Sequence, residues 1–183
     1  MFRIILRGYR WARMDTNSSV AAAGSLRVMR LGNGSVALSI LPEVGGKLVE
    51  LRDRRSGRNW LWQNPYLAHA QPPYTASFGS TLDSGGWDEI MPTVAPCRIE
   101  LGDGGHCPLP DHGDPVRLPW TVRAVQLSEA RGGRCELEVR GRALPFRFSR
   151  AIVLDAVRPR LKLTYELENT GTASCPYLYR PHP

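Results

Sequence analysis

From Leu26 onward the apolar positions of this chain recur at every second residue. Val36, Leu38 and Ile40 alternate with Ala37 and Ser39, and Leu161, Leu163, Tyr165 and Leu167 alternate with Lys162, Thr164, Glu166 and Glu168. A period of two puts successive side chains on opposite faces of a strand, so these runs predict sheets with one buried and one wet face. Gly32-Asn33-Gly34 reads as a hairpin turn between strands at 26–31 and 35–41. A short strand follows at 47–52, and the turn Arg55-Ser56-Gly57-Arg58 leads into 59–63. Further strands are expected at 120–130, 134–140, 146–154 and 160–168, with turns at Gly132-Gly133, Val157-Arg158-Pro159 and Asn169-Thr170-Gly171. The last apolar run, 175–179, reads as one more strand, and residues 64–119 read as loop. No amphipathic helix and no internal repeat interrupts this pattern. Strands at regular spacing with tight turns predict an all-β, antiparallel sandwich or large sheet.

Length and composition narrow the picture. A chain of 183 residues builds one good core. Its 18 glycines and 15 prolines are spread along the sequence, which fits many turns rather than a disordered tract. The net charge of +7 is carried by arginine, since Lys47 and Lys162 are the only lysines. From Arg27 onward the arginines are interleaved with acids, so no nucleic-acid partner is expected. No apolar run approaches the roughly 20 residues of a membrane helix, and no membrane partner is expected. Met1 to Arg13 carries Arg3, Arg7, Arg10 and Arg13 and no acid. Residues 1–24 therefore read as an extension outside the fold, or as the product of a start upstream of Met14. Residues 25–183 are expected to form the domain. The cysteines, Cys97, Cys107, Cys135 and Cys175, make no C-x-x-C pair and follow no secretory segment. They predict reduced thiols in a cytoplasmic protein.

Candidate chemistry gathers in the loop-rich middle. Ser84-Gly85-Gly86-Trp87-Asp88-Glu89 and Asp111-His112-Gly113-Asp114 put an aromatic ring, carboxylates and an imidazole on glycine-rich loops. A flat aromatic covers the apolar face of a pyranose, carboxylates accept its hydroxyl protons, and an imidazole moves a proton near neutral pH. Each residue also has a plainer reading. Trp87 is either a stacking platform or a plug of the core. Asp88 and Glu89 are adjacent and point to opposite sides of an extended chain, so they do not act as one pair. His112, flanked by two aspartates, suits a proton donor, or is an exposed loop residue. His182 either frays near the chain end or emerges from a strand onto a site. His69 reads as a plain loop residue. His106, Cys107, Asp111 and His112 fit no zinc spacing, and no metal or organic cofactor is expected.

With those residues in view, the chain resembles the aldose 1-epimerase (galactose mutarotase) family, in its bacterial aldose-epimerase-like branch. The resemblance rests on Gly45-Gly46-Lys47-Leu48 with Asp53 to Leu61, on Gly85-Gly86-Trp87-Asp88-Glu89 with Pro92-Thr93, on Leu109-Pro110-Asp111-His112-Gly113-Asp114, and on Asn169-Thr170-Gly171 with Pro176-Tyr177-Leu178-Tyr179 and His182-Pro183. It implies an antiparallel β-supersandwich and interconversion of the α and β anomers of an aldose by acid/base ring opening. His112 and His182 match the family's two site histidines, with His182 as acid toward the ring oxygen and His112 as its positioning partner. Trp87, Asp88 and Glu89 would line the pocket, and the substrate would be a monosaccharide or a sugar phosphate. The family continues past the second histidine motif with further strands, a substrate-binding aspartate and a glutamate base. The chain therefore reads as the N-terminal portion of that fold, with sheet edges open to self-association. A non-catalytic carbohydrate-binding domain is the alternative, and a metal- or thiol-active β-protein built on Cys107 and His112 is a third reading.

Overall fold

The computed structural model describes residues 26–183, and the extension expected at 1–24 lies outside them. Eleven strands are formed: β1 (Met29–Gly32), β2 (Val36–Leu41), β3 (Lys47–Asp53), β4 (Asp88–Ile90), β5 (Cys97–Glu100), β6 (His106–Leu109), β7 (Thr121–Gln126), β8 (Gly133–Arg140), β9 (Phe146–Leu154), β10 (Leu161–Asn169) and β11 (Arg180–His182). The only helical turn among the described residues is a π-turn at Phe78–Leu82. Every strand pair is antiparallel, and the sheets run β1-β2-β3, β10-β9-β8-β7, β11-β4 and β5-β6.

The three-stranded and four-stranded sheets bury their apolar rows in one core. Leu31, Leu38, Ile40 and Leu48 come from the first, and Cys135, Leu137, Phe148, Ile152 and Leu154 from the second. β9 shows why the alternation was readable, since every second residue from Phe146 to Leu154 is buried and those between are half-buried. One of those buried positions is Arg150, a charge in an otherwise apolar row. The first hairpin also ties the sheets together. The Asn33 side chain accepts from the amides of Ser35 and Val36 and donates to the carbonyls of Asp155 and Arg158, which closes its own turn against the β9–β10 connection. β10 and β7 are the outer strands of the four-stranded sheet.

Two expectations are corrected. The middle of the chain is not all loop: β4, β5 and β6 lie within it. They have three or four residues each and no clean alternation, too little for periodicity to detect. The run 175–179 is not a strand; Tyr177 and Leu178 are exposed, and the strand comes just after, as β11. β11 contains Pro181, which has no N–H to give to a strand ladder. No helix among the described residues is long and apolar enough to cross a membrane.

Candidate functional site

The site is assembled from four segments: the Gly45-Gly46-Lys47 entry to β3, the turn at 78–82, β4, and the loop 110–117, with β11 laid beside β4. The pairing of β11 with β4 sets Arg180 opposite Ile90, Pro181 opposite Glu89 and His182 opposite Asp88. Opposed residues in an antiparallel pair share a face, with Cβ atoms about 5 Å apart. The register therefore brings the last histidine of the chain onto the tryptophan-acid motif.

Both candidate histidines meet Phe78. The imidazole of His112 stacks on the Phe78 ring at a centroid distance of 3.9 Å and an interplanar angle of 10°. His182 meets the same ring edge-on, at 5.7 Å and 88°. Phe78 itself is buried, so its ring is a fixed surface that both imidazoles share. Nδ1 of His112 is 2.7 Å from Oδ1 of Asp111, whose Oδ2 accepts from the Phe78 amide at 2.8 Å. That leaves Nε2 of His112 as the nitrogen outside this contact. Burial alone would raise the Asp111 carboxyl, but the Phe78 amide and His112 outweigh it and hold it below the ordinary value.

The backbone around His112 is bent to fit. His112 has φ of 60°, a left-handed conformation uncommon for a residue with a side chain, and Gly113 follows at 73°. Gly113 bridges to Met91, and its amide is bonded to the Pro110 carbonyl at 3.0 Å. Arg117, buried, clamps this loop from behind. It donates through Nε to the Gly113 carbonyl at 2.8 Å, through Nη1 to the carbonyls of Tyr74 and Ala76, and through Nη2 to the Asp111 carbonyl. Asp114 is buried too and takes the Tyr74 hydroxyl at 2.6 Å and the amides of Arg142 and Ala143. Beside Asp111 a cleft of about 450 Å³ opens, lined among others by Tyr74, Ala76, Pro96 and Arg117.

The two acids of the motif go separate ways, as their adjacency implied. Asp88 is buried and receives the Lys47 ammonium on Oδ2 at 2.8 Å, while its Oδ1 has no partner. Burial pushes the Asp88 carboxyl up, opposed by the charges of Lys47 and of His182. Lys47 also donates to the carbonyls of Leu82 and Gly85 and to the Ser84 hydroxyl. Glu89 is wholly buried and pairs with Arg150 at 2.8 Å. Oε1 of Glu89 also accepts from the Tyr165 hydroxyl and Oε2 from that of Tyr179. Glu89 is thus placed as a core anchor rather than as pocket wall, because both its oxygens are taken by the protein. Trp87 packs at the margin of the main core, half-buried, with its Nε1–H buried and unpartnered.

Sequence reasoning passed over three residues here. Phe78 and Arg117 carried no motif. Lys47 stood in the Gly-Gly-Lys-Leu signature, yet its role shows only when Asp88 is beside it. His69 is no plain loop residue. Its Nδ1 is 2.8 Å from the Ser84 hydroxyl and its Nε2 3.0 Å from the Gln63 side-chain oxygen, and burial with the Lys47 charge lowers its pKa.

No protein-family profile matches the chain, and no curated protein does. Solved structures do. The Slr1438 protein of Synechocystis sp. PCC 6803 is 18% identical with a TM-score of 0.56, over 86% of this chain and 53% of that one. A galactose mutarotase-like protein of Clostridium acetobutylicum is 20% identical with a TM-score of 0.56, over 78% of this chain and 45% of that one. A second, from Lactobacillus casei ATCC 334, is 14% identical with a TM-score of 0.52, over 78% and 44%. The fold is galactose mutarotase-like. At these identities the likeness speaks for the fold alone, and the chain spans about half the length of the structures it matches.

Proposed function

We propose that this site acts on the anomeric centre of an aldose, as an aldose 1-epimerase-type isomerase. The observation that carries the reading is that His112 and His182, distant in sequence, are brought to one Phe78 ring, the first stacked on it and the second perpendicular to it. Anomer exchange needs a proton delivered to the ring oxygen and another removed from the anomeric hydroxyl. His182 is the donor to the ring oxygen, and solvent water takes the proton of the anomeric hydroxyl. His112, held through Nδ1 by Asp111, offers Nε2 to the neighbouring oxygens. The half-buried Trp87 supplies an apolar face. The substrate is a monosaccharide or its phosphate. The four cysteines are free thiols, which suits a reducing cytoplasm.

One observation favours a second reading, sugar binding without catalysis. Both acids of the tryptophan loop are committed to ion pairs, so that loop offers no free carboxylate as base. One experiment separates the two. Exchange between the anomers of glucose, galactose and glucose 6-phosphate is followed by NMR with and without protein. Accelerated exchange that is lost in His112→Ala supports the epimerase reading. Line broadening of the sugar without acceleration gives the binding reading. Neither effect on any of the three sugars overturns both.

A further inference from the structure

A buried carboxylate oxygen without a hydrogen-bond partner is rare in a folded protein, because it gives up water and gains nothing. Oδ1 of Asp88 is such an atom, in a side chain only 2% exposed. The other oxygen, Oδ2, is fixed by the Lys47 ammonium at 2.8 Å, and Lys47 is in turn fixed by Leu82, Ser84 and Gly85. The carboxylate is therefore held rigidly, with one acceptor unused. Directly opposite it across the β4–β11 pair stands His182, on the same face of the ladder and close enough for its charge to act on Asp88.

We propose that Asp88 is the positioning residue of His182: its free Oδ1 accepts a ring N–H of His182, and Lys47 holds the carboxylate for that contact. With one ring nitrogen of His182 committed to Oδ1, the other is the nitrogen left for a substrate. His112, stacked on Phe78, and Asp111 then form a matching pair, so each site histidine has its own aspartate. This gives Asp88 a reason to be buried beside a histidine that a counter-charge for Lys47 alone does not need. The charged groups facing His182 are few. Asp88 lies opposite on β4 with Lys47 and Asp83 near it, His112 with Asp111 meets the same Phe78 ring, and Arg180 shares its strand. The meaning of this positioning rests on the epimerase reading, but its test does not.

The test is nitrogen NMR of the full chain labelled at histidine, without sugar. His182 is assigned by its loss in His182→Gln, among the 4 histidines of the chain. In the parent protein His182 is expected to show one ring nitrogen carrying a fixed proton. In Asp88→Ala that signal is expected to move to the averaged tautomers of a free imidazole, with His106 and His112 unchanged. Asp88→Ala strands Lys47 as a buried unpaired charge, so the double variant Lys47→Met with Asp88→Ala removes both charges and keeps the test open should the single variant not fold. If His182 has the same ring signals in the parent and in either folded variant, the proposal is overturned. Where the parent protein exchanges anomers, Asp88→Ala is expected to lower kcat about tenfold or more with little change in KM. A parent protein with no anomer exchange defeats the epimerase reading and leaves the NMR result to decide the role of Asp88.

Discussion

Arg150 meets Glu89 at 2.8 Å with both side chains wholly out of solvent. Arg150 occupies a core position of β9, between Phe148 and Ile152, and also donates to the Gly46 carbonyl under the Trp120 ring. Two tyrosine hydroxyls complete the shell of Glu89, and burial together with the carboxylate charge pushes both phenols well above their ordinary value. Breaking one partner of a buried pair leaves the other as an uncompensated charge, at a cost of about 3–5 kcal/mol. Glu89→Ala is expected to lose that much in denaturant unfolding. Glu89→Ala combined with Arg150→Met is expected to lose less than Glu89→Ala alone. A single-variant loss below about 1 kcal/mol would contradict the anchor role.

The contrast between Glu89 and β9 shows what the sequence made legible. The strand expected at 146–154 is the strand observed, because Phe146, Phe148, Ile152 and Leu154 at every second place leave one way to bury the apolar face. The turns and the neighbouring strands of the four-stranded sheet were legible for the same reason. β4 and β11 have three residues each, and they exist because they pair with each other, one from mid-chain and one from near its end. No local pattern encodes that. The two histidine motifs marked residues that the fold brings to one ring, and adjacency marked Asp88 and Glu89 as facing opposite ways. Their partners, Lys47 and Arg150, are fixed by tertiary register, so the same two letters could not show that one faces His182 and the other is spent in the core.

Phe78 is expected to matter to the site more than to the fold. Replacing it by leucine keeps most of the apolar volume, with a stability cost of about 1 kcal/mol. It removes the flat surface on which His112 stacks and the ring that His182 meets edge-on. Phe78→Leu is expected to weaken sugar binding or anomer exchange on the order of tenfold, as for other misplaced site groups. The check is the NMR exchange assay beside a thermal melt. An equal loss in both would mean that Phe78 serves only the core.

Acid should weaken this protein in a window set by His69. Burial and the Lys47 charge lower its pKa below 6.5, so the folded protein keeps it neutral where the unfolded chain already binds a proton. The unfolded state then takes up more protons, and stability falls as the pH drops below about 6.5 toward the folded value. At higher pH the contribution is fully present. Denaturation midpoints between pH 8 and pH 5 are expected to fall in the parent protein. His69→Gln, which titrates no proton, is expected to flatten the upper part of that slope. An unchanged slope in the variant would remove His69 as its source.

Gly113 tests whether the loop carrying His112 is as tightly built as its geometry implies. A Cβ placed there would lie 1.7 Å from the Met91 carbonyl oxygen, and the residue has φ of 73°. Both penalties apply to alanine: the left-handed conformation costs about 1–2 kcal/mol, and overpacking about 1–3 more. Gly57 has the same φ of 73° with open space around it, so Gly57→Ala carries the first penalty without the second. Gly34 has neither, and Gly34→Ala is expected to stay within about 0.5 kcal/mol of the parent. The order of destabilisation should therefore be Gly113, then Gly57, then Gly34. Gly113→Ala should also displace His112, because the only relief is to move the backbone away from Met91. A histidine NMR spectrum in which His112 shifts while His106 stays would show that relief directly. A Gly113→Ala protein as stable as Gly57→Ala would mean that the loop yields freely and that His112 is held by Phe78 and Asp111 alone.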